Sequence, residues 1–292
     1  MRYFGLYCTI WCLLGLFCAE GYEMPARYQK SAIDYNHVND TWTLERFVII
    51  PEFRLLFCYI EKVGCTSFNR LFNILTGVKH HGRWFAHSPR QLKYNRTQLN
   101  HLLLDKSWHK AVFYRHPTDR FVSAYQSKCN PISSRHCKDT FGYKNVTFEE
   151  TLEAAADHNL LENVHWIPQN IFCGGLTNTL RHYDTVELLE RSTANEKVVN
   201  MLKKTQLNVT DEVLSLVNKL FPTGERKPGT NREKYNSITN AESNGKFLLD
   251  STEKVSAVID HYYGDYRLFN IKLRDWEKSL VENVSKYNSF IA

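Results

Sequence analysis

The stretch Arg54-Leu-Leu-Phe-Cys-Tyr-Ile-Glu-Lys-Val-Gly-Cys-Thr-Ser-Phe-Asn-Arg70 decides the fold. Its apolar, aromatic-rich run from Leu55 to Ile60 predicts a buried parallel strand, and the periodicity of residues 67–75 predicts a helix. A strand, a short loop and a helix form an anion cradle, because loop and helix amides point at one spot and the helix dipole adds positive charge there. Lys62 supplies a full positive charge to this cradle.

The cradle differs from the standard ATP-binding loop. The spacing G-x-x-x-x-G-K-[ST] is absent, and the lysine precedes the glycine. From this stretch alone an alternative stays open, in which a buried strand enters a helix and Lys62 is only solvated.

A second strand, loop and helix follow in Ala111-Val-Phe-Tyr-Arg-His-Pro-Thr-Asp-Arg-Phe-Val-Ser-Ala-Tyr-Gln-Ser-Lys128. The strand is predicted at 111–114, and Pro117 suits the first turn of the helix. Arg115 ends the strand and Ser123 lies on the helix, and a guanidinium with a hydroxyl suits a phosphate monoester. The alternative is a structural Arg115 that pairs with Asp119.

Together the two segments resemble the Golgi carbohydrate sulfotransferases, especially the chondroitin/dermatan type. Residues 62–68 resemble their 5′-phosphosulfate loop, and residues 114–125 resemble their 3′-phosphate motif, in the same order. Further similarity lies in 162–169, 183–190 and 263–269, so that the resemblance spans roughly residues 50–270. The chain departs from the family at Glu61, where many members have proline, and at Ser67, where many have asparagine.

The resemblance implies a P-loop-like, three-layer α/β sulfotransferase fold with a central, mainly parallel sheet flanked by helices. It implies 3′-phosphoadenosine-5′-phosphosulfate (PAPS) as donor, a sugar hydroxyl as acceptor, and no metal. Sulfuryl transfer depends on positioning and on stabilising the departing oxygen, beside which Lys62 is expected. The 5′ end is expected on the backbone of Val63, Gly64, Cys65, Thr66 and Ser67, with the Thr66 and Ser67 hydroxyls. Arg115 and Ser123 are expected on the 3′-phosphate.

A general base must accept the proton of the acceptor hydroxyl. His87 is ranked first, because related sulfotransferases place their base between the two phosphate motifs; Glu162 and His165 are the other candidates. Alternatively, His165 and Trp166 line the acceptor groove, with the indole stacked on a sugar. His80 and His81 near His87 fit no recognised zinc spacing.

The basic, Gly/Pro-containing loop 224–232 is a candidate lid over the 3′-phosphate. Such loops occur in sulfotransferases, and Arg226, Lys227 and Arg232 are its candidate cations for the nucleotide or for an anionic glycan. The alternative is a solvated connector between helices.

The N-terminus predicts the secretory pathway, in the Golgi lumen or membrane, or secretion. Residues 4–19 are almost wholly apolar and end before a small-x-small cleavage pattern, which favours a signal peptide (1–21) over a membrane anchor. A surface lead-in (22–50) and one sulfotransferase domain (51–292) are predicted to follow. Sequons at Asn39, Asn95, Asn145, Asn208 and Asn283 predict a glycoprotein.

Five cysteines lie beyond the leader, an odd number for an oxidising compartment. Cys58 in the buried strand and Cys65 in the cradle are expected to be free or locally packed. One bridge is expected among Cys129, Cys137 and Cys173, with one thiol left over.

The remaining patterns predict one α/β domain. A strand is expected at 183–189, and helices at 192–204, 210–220 and 251–262, with a capping box opening another helix near Thr147. Strands that alternate with helices imply a mainly parallel sheet with ligands at the carboxyl ends of its strands. The oligomeric state is not readable.

The net charge of +6 suits polyanionic ligands. A nucleic-acid protein is not indicated, because no basic helix, zinc module or aromatic RNA-binding motif is present. Two other function classes stay open. One is a catalytically silent glycan-binding protein that retains the sulfotransferase fold. The other is a secreted kinase-like enzyme, which is less favoured because this sequence lacks a Walker lysine and an evident acidic metal ligand.

Overall fold

In the computed structural model, a four-stranded sheet lies at the centre of the protein. The structure describes residues 44–79, 86–129, 135–143, 145–157, 159–161, 163–223 and 241–291. The strands are β1 (Phe47–Ile50), β2 (Leu55–Cys58), β3 (His109–Tyr114) and β4 (Thr185–Leu188), and they lie in that order across the sheet. β1 pairs antiparallel with β2, whereas β2–β3 and β3–β4 are parallel. The predicted mainly parallel sheet is therefore confirmed.

The described helices surround this sheet. They are α1 (Cys65–Leu75), α2 (Pro89–Leu92), α3 (Arg96–Leu104), α4 (Pro117–Lys128), α5 (Arg135–Phe141), α6 (Phe148–Ala156), α7 (Phe172–Thr179), α8 (Ala194–Lys203), α9 (Asp211–Leu220), α10 (Ala241–Leu248), α11 (Thr252–His261), α12 (Tyr263–Leu268), α13 (Asp275–Val281) and α14 (Asn288–Ile291). Helix α7 is kinked by non-helical backbone at Cys173, Gly174 and Gly175. The predicted capping box at Thr147 and Glu150 opens α6.

Helices cover both faces of the sheet. Successive residues of a strand point to opposite faces, and two neighbours in β2 contact helices of different layers. The Phe57 ring contacts Phe68 and Phe72 of α1, with centroid distances of 4.6 and 5.1 Å. Cys58, the next residue of β2, is bonded to Cys173 in α7. This arrangement agrees with the predicted three layers.

The predicted surface lead-in (22–50) is wrong for Phe47–Ile50, which forms a buried strand. All four of its residues are buried and pair with β2, from Phe47 opposite Cys58 to Ile50 opposite Leu55. A short apolar run that ends at a proline carries no alternation, so its place at the sheet edge was not readable.

The cysteine prediction was half right. Cys129 and Cys137 form a bridge and Cys65 is a free thiol, as expected. Cys58 was expected to be free, but it is joined to Cys173 across 115 residues of sequence. A contact between segments so far apart leaves no local pattern in the chain.

Candidate active site

The loop between β2 and α1 has a left-handed backbone at two residues. Lys62 has φ 70° and Gly64 has φ 63°. A Cβ on Gly64 would lie 2.8 Å from Cδ2 of Leu189, the residue after β4. Only glycine combines this backbone conformation with so close an approach.

Three successive backbone N–H groups at the start of α1 are available to a ligand. Val63 donates its N–H to Ile60 O at 3.3 Å, and Ser67 donates to Gly64 O at 2.9 Å. Within the described residues the N–H groups of Gly64, Cys65 and Thr66 have no acceptor. These are the orphan donors of a helix N-terminus, which suit an anion.

Lys62 is buried, with 7% of its surface exposed. Its Nζ donates to Ser127 Oγ of α4 at 2.7 Å. Burial lowers the pKa of Lys62 to about 7, with further lowering by Lys128, Arg115 and Arg120, while Cys65 opposes the shift. A bound anion would raise the pKa of Lys62 again, because a nearby negative charge favours the charged ammonium.

Arg115 joins the two predicted phosphate motifs. Its Nη1 donates to the carbonyl oxygen of Lys62 at 3.3 Å. Gln169 holds its backbone, accepting from Arg115 N and donating to Arg115 O, both at 2.9 Å. Asp265 in turn accepts from Gln169 Nε2 at 3.1 Å and from the backbone N–H groups of Gln169 and Asn170. The guanidinium therefore emerges from a fixed strand end beside the cradle.

Arg120 fastens the cradle to the segment that carries His165. Its Nε donates to Glu61 O at 3.0 Å, while Nη1 and Nη2 donate to Ile167 O at 2.6 Å and Val164 O at 3.3 Å. The guanidinium is fully buried, between the rings of Phe172 and Tyr262 at 5.6 Å each. One planar group thus places the neighbours of Lys62 and of His165 side by side.

Ser123 lies in α4 and is buried. Asp119, one turn earlier, accepts from Arg274 Nη1 at 2.6 Å and Nη2 at 2.8 Å. The predicted structural partner of Arg115 thus has both carboxylate oxygens engaged by another arginine.

Trp166 does not line an open groove. It is fully buried, with its ring edge-on to Phe141 at 6.2 Å, so the predicted stacking on a sugar is wrong. His165, the preceding residue, is half-buried.

The structure does not bring His87 together with Lys62. Nε2 of His87 lies 3.0 Å from Thr76 Oγ1, at the C-terminal end of α1. An 11-residue helix is about 16 Å long, and the cradle lies at its other end. The His87 carbonyl also accepts from Ile49 N, which pairs near the start of β2. Sequence order between two motifs is therefore not enough to place a side chain beside the cradle.

Several predicted residues lie outside the described part of the chain. They are Glu162, the loop cations Arg226, Lys227 and Arg232, the His80–His81 pair, and residues 1–43. In the described residues no group of three or more His, Cys, Asp or Glu side chains could hold a metal ion. None of the described helices has the length and apolarity to cross a membrane.

The sequence model of the sulfotransferase family matches residues 45–272. This chain belongs to the sulfotransferase family. Carbohydrate sulfotransferase 11 of Rattus norvegicus is 35% identical over 95 residues, covering 29% of this chain and 26% of the relative. Human carbohydrate sulfotransferase 14 is 26% identical over 185 residues (54% and 46%), and human carbohydrate sulfotransferase 9 is 25% identical over 256 residues (78% and 53%).

The chain thus spans from about a quarter to about half of the length of the relatives that it matches. No solved structure matches it significantly.

Sequence reasoning missed several residues that shape the candidate site. Ser127 lies one helical turn after Ser123, a spacing that could have revealed it. Gln169 and Asp265 lie in two of the stretches that carry the family resemblance. The hydrogen bonds by which they hold the Arg115 backbone, however, depend on the fold and are not visible in the sequence. Arg274 follows the matched region and had no signal.

Proposed function

We propose that this chain transfers a sulfuryl group from PAPS to a sugar hydroxyl, on a chondroitin-like glycosaminoglycan or a glycoprotein glycan. The observation that carries the proposal is the hydrogen bond from Arg115 Nη1 to the Lys62 carbonyl oxygen. It brings the predicted 3′-phosphate residue to the predicted 5′-phosphosulfate loop. A donor charged at both ends would meet two cationic groups, and ATP has no 3′-phosphate to use the second.

The residues present fit such a donor. The amides of Gly64, Cys65 and Thr66 would hold its 5′ end, and Arg115 with Ser123 would hold its 3′-phosphate. Arg226 and Lys227 remain candidates for closing over that phosphate.

Lys62 would exchange Ser127 for the bridging oxygen between phosphorus and sulfur. The acceptor oxygen bonds to sulfur while the bond from sulfur to the bridging oxygen breaks. The charge that develops on the departing oxygen is stabilised by the Lys62 ammonium. Burial strengthens this interaction, because the local dielectric is low.

His165 is the favoured general base among the described candidates. Arg120 ties its segment to the residue before Lys62, whereas His87 lies about a helix length away. The base would take the acceptor proton as the new oxygen–sulfur bond forms.

The secretory pathway is the proposed location, with residues 1–21 as a signal peptide or residues 4–19 as an anchor. Two disulfides support an oxidising compartment. The described sequons at Asn95, Asn145, Asn208 and Asn283 are exposed, as glycan attachment requires. A mobility shift on treatment with peptide N-glycosidase would test this, and an unshifted secreted protein would contradict it.

The activity is tested with purified full-length protein, donor labelled in the sulfuryl group, and a panel of desulfated glycosaminoglycans. Label should appear in an acceptor, and Lys62→Ala should lower the rate about 10²- to 10³-fold. Lys254→Ala is the control, because Lys254 of α11 pairs with Glu149 and Asp250, neither of which belongs to the candidate site. Glycan binding without donor binding or transfer would instead establish the silent glycan-binding protein.

A further inference from the structure

The chain after α12 forms an ion pair and hydrogen bonds with the start of α4, the helix that carries Ser123. Arg274 meets both carboxylate oxygens of Asp119, at 2.6 and 2.8 Å. A two-pronged guanidinium–carboxylate pair is stronger and more directional than a single contact. Arg274 lies beyond residue 272, where the match to the sulfotransferase family ends.

A second, fully buried contact supports the same docking. Glu277 accepts from Thr118 Oγ1 through Oε1 and from Arg274 N through Oε2, both at 2.8 Å. His116 Nε2 lies 3.6 Å from the same Oε2 atom. Residues 116, 118 and 119 are thus all held by the segment 274–277.

Asp119 lies in the first turn of α4, and Arg115 directly precedes the N-cap residue of that helix, His116. Burial tends to raise the pKa of the Asp119 carboxyl, but the hydrogen-bonded Arg274 and the positive charge of Arg115 together lower it. A carboxylate near Arg115 competes with any phosphate for that guanidinium. It also lies four residues before Ser123, on the same face of α4.

We propose that Arg274 is a positioning residue for the 3′-phosphate. By engaging both oxygens of Asp119, it weakens the competition between that carboxylate and the phosphate for the Arg115 guanidinium. The inference rests on the proposed function. Without Arg274 the Asp119 carboxylate would draw more strongly on Arg115, and binding at the 3′ end alone would weaken. Removing the carboxylate as well would abolish the competition.

The test compares two nucleotides by calorimetry on the full chain, adenosine 3′,5′-bisphosphate and adenosine 5′-monophosphate. Arg274→Met should weaken binding of the bisphosphate about 3- to 30-fold and leave the monophosphate unchanged. The double variant Asp119→Asn/Arg274→Met should regain most of the lost affinity. Arg274→Lys, which keeps the charge but not the fork, should lie between wild type and Arg274→Met.

Lys286→Met is the matched control. It removes an ion pair of similar length in the same C-terminal region, to Asp260 at 2.8 Å, and should change neither affinity. Equal weakening for both nucleotides in Arg274→Met, or a double variant no tighter than Arg274→Met, would overturn the inference. If wild type itself shows no preference for the bisphosphate, the proposed donor site fails and the inference with it. If wild type prefers the bisphosphate and Arg274→Met keeps the same preference, the inference about Arg274 is wrong, whereas the proposed donor site stands.

Discussion

Lys62 is a buried lysine whose ammonium is held in place by a hydrogen bond. Its ammonium donates to Ser127, and its backbone lies in the left-handed region. With its pKa lowered to about 7 by burial, the group loses its charge at a pH where ordinary lysines keep it. A bound anion should restore that charge.

Nucleotide binding should therefore take up a proton through Lys62. Above pH 7 the free amine is largely neutral and the complex needs the ammonium, so affinity should fall as pH rises, by at most about tenfold per pH unit. Calorimetry with adenosine 3′,5′-bisphosphate at pH 8, in two buffers of different ionisation enthalpy, measures this uptake. Lys62→Met should lose it; the same uptake in that variant would assign the proton elsewhere.

The two histidine candidates make opposite predictions. His165→Ala should lower kcat by about 10²-fold or more, the contribution of a general base. His87→Ala should leave kcat within about threefold and cost about 1 kcal/mol of stability, because only its hydrogen bond to Thr76 is lost. Steady-state kinetics and urea unfolding of both variants separate the roles, and a reversed pattern would return the base to His87.

At the scale of elements, the join between β2 and α1 depends on Gly64. The loop must turn in the left-handed region while its backbone packs against Leu189. This packing sets where the amides of Gly64, Cys65 and Thr66 point.

Gly64→Ala should destabilise the protein more than Gly77→Ala. Both glycines have positive φ, which costs alanine about 1 kcal/mol. Only Gly64 would also bring a Cβ within 2.8 Å of Leu189, whereas Gly77 has nothing within 4 Å. This overpacking adds about 1–3 kcal/mol. Urea unfolding and nucleotide binding measure both variants, and equal losses would show that the close approach relaxes freely.

The local elements were predictable because their signals are contiguous. The second phosphate motif was predicted as a strand at 111–114 and a helix from Pro117, and the structure has β3 ending at Tyr114 and α4 beginning at Pro117. Helix α1 begins two residues before its predicted start, because Gly64 caps it. Contacts between distant segments were not predictable, which is why the positions of His87 and Cys58 were missed.

At the scale of the whole molecule, the two disulfides constrain the unfolded chain very differently. Cys58–Cys173 spans 115 residues and ties β2 to α7, whereas Cys129–Cys137 spans 8. The first links the sheet to the layer on one of its faces. The second closes only a local segment after α4.

Removal of the long-range bridge should therefore cost more. Chain entropy predicts that Cys58→Ala/Cys173→Ala loses about 2 kcal/mol more unfolding free energy than Cys129→Ala/Cys137→Ala. Denaturant unfolding of the two double variants under identical conditions gives the comparison. An equal or larger loss for the short bridge would show that native packing, and not loop length, decides the difference.

A crystal structure of the full chain with adenosine 3′,5′-bisphosphate tests the two-ended donor site most directly. The 3′-phosphate should lie about 3 Å from the Arg115 guanidinium and the Ser123 hydroxyl. The 5′-phosphate should lie on the amides of residues 64–66, with Lys62 Nζ turned toward it from Ser127. A nucleotide whose 3′-phosphate lies away from Arg115, or whose 5′ end does not touch the loop at Gly64, would contradict the site.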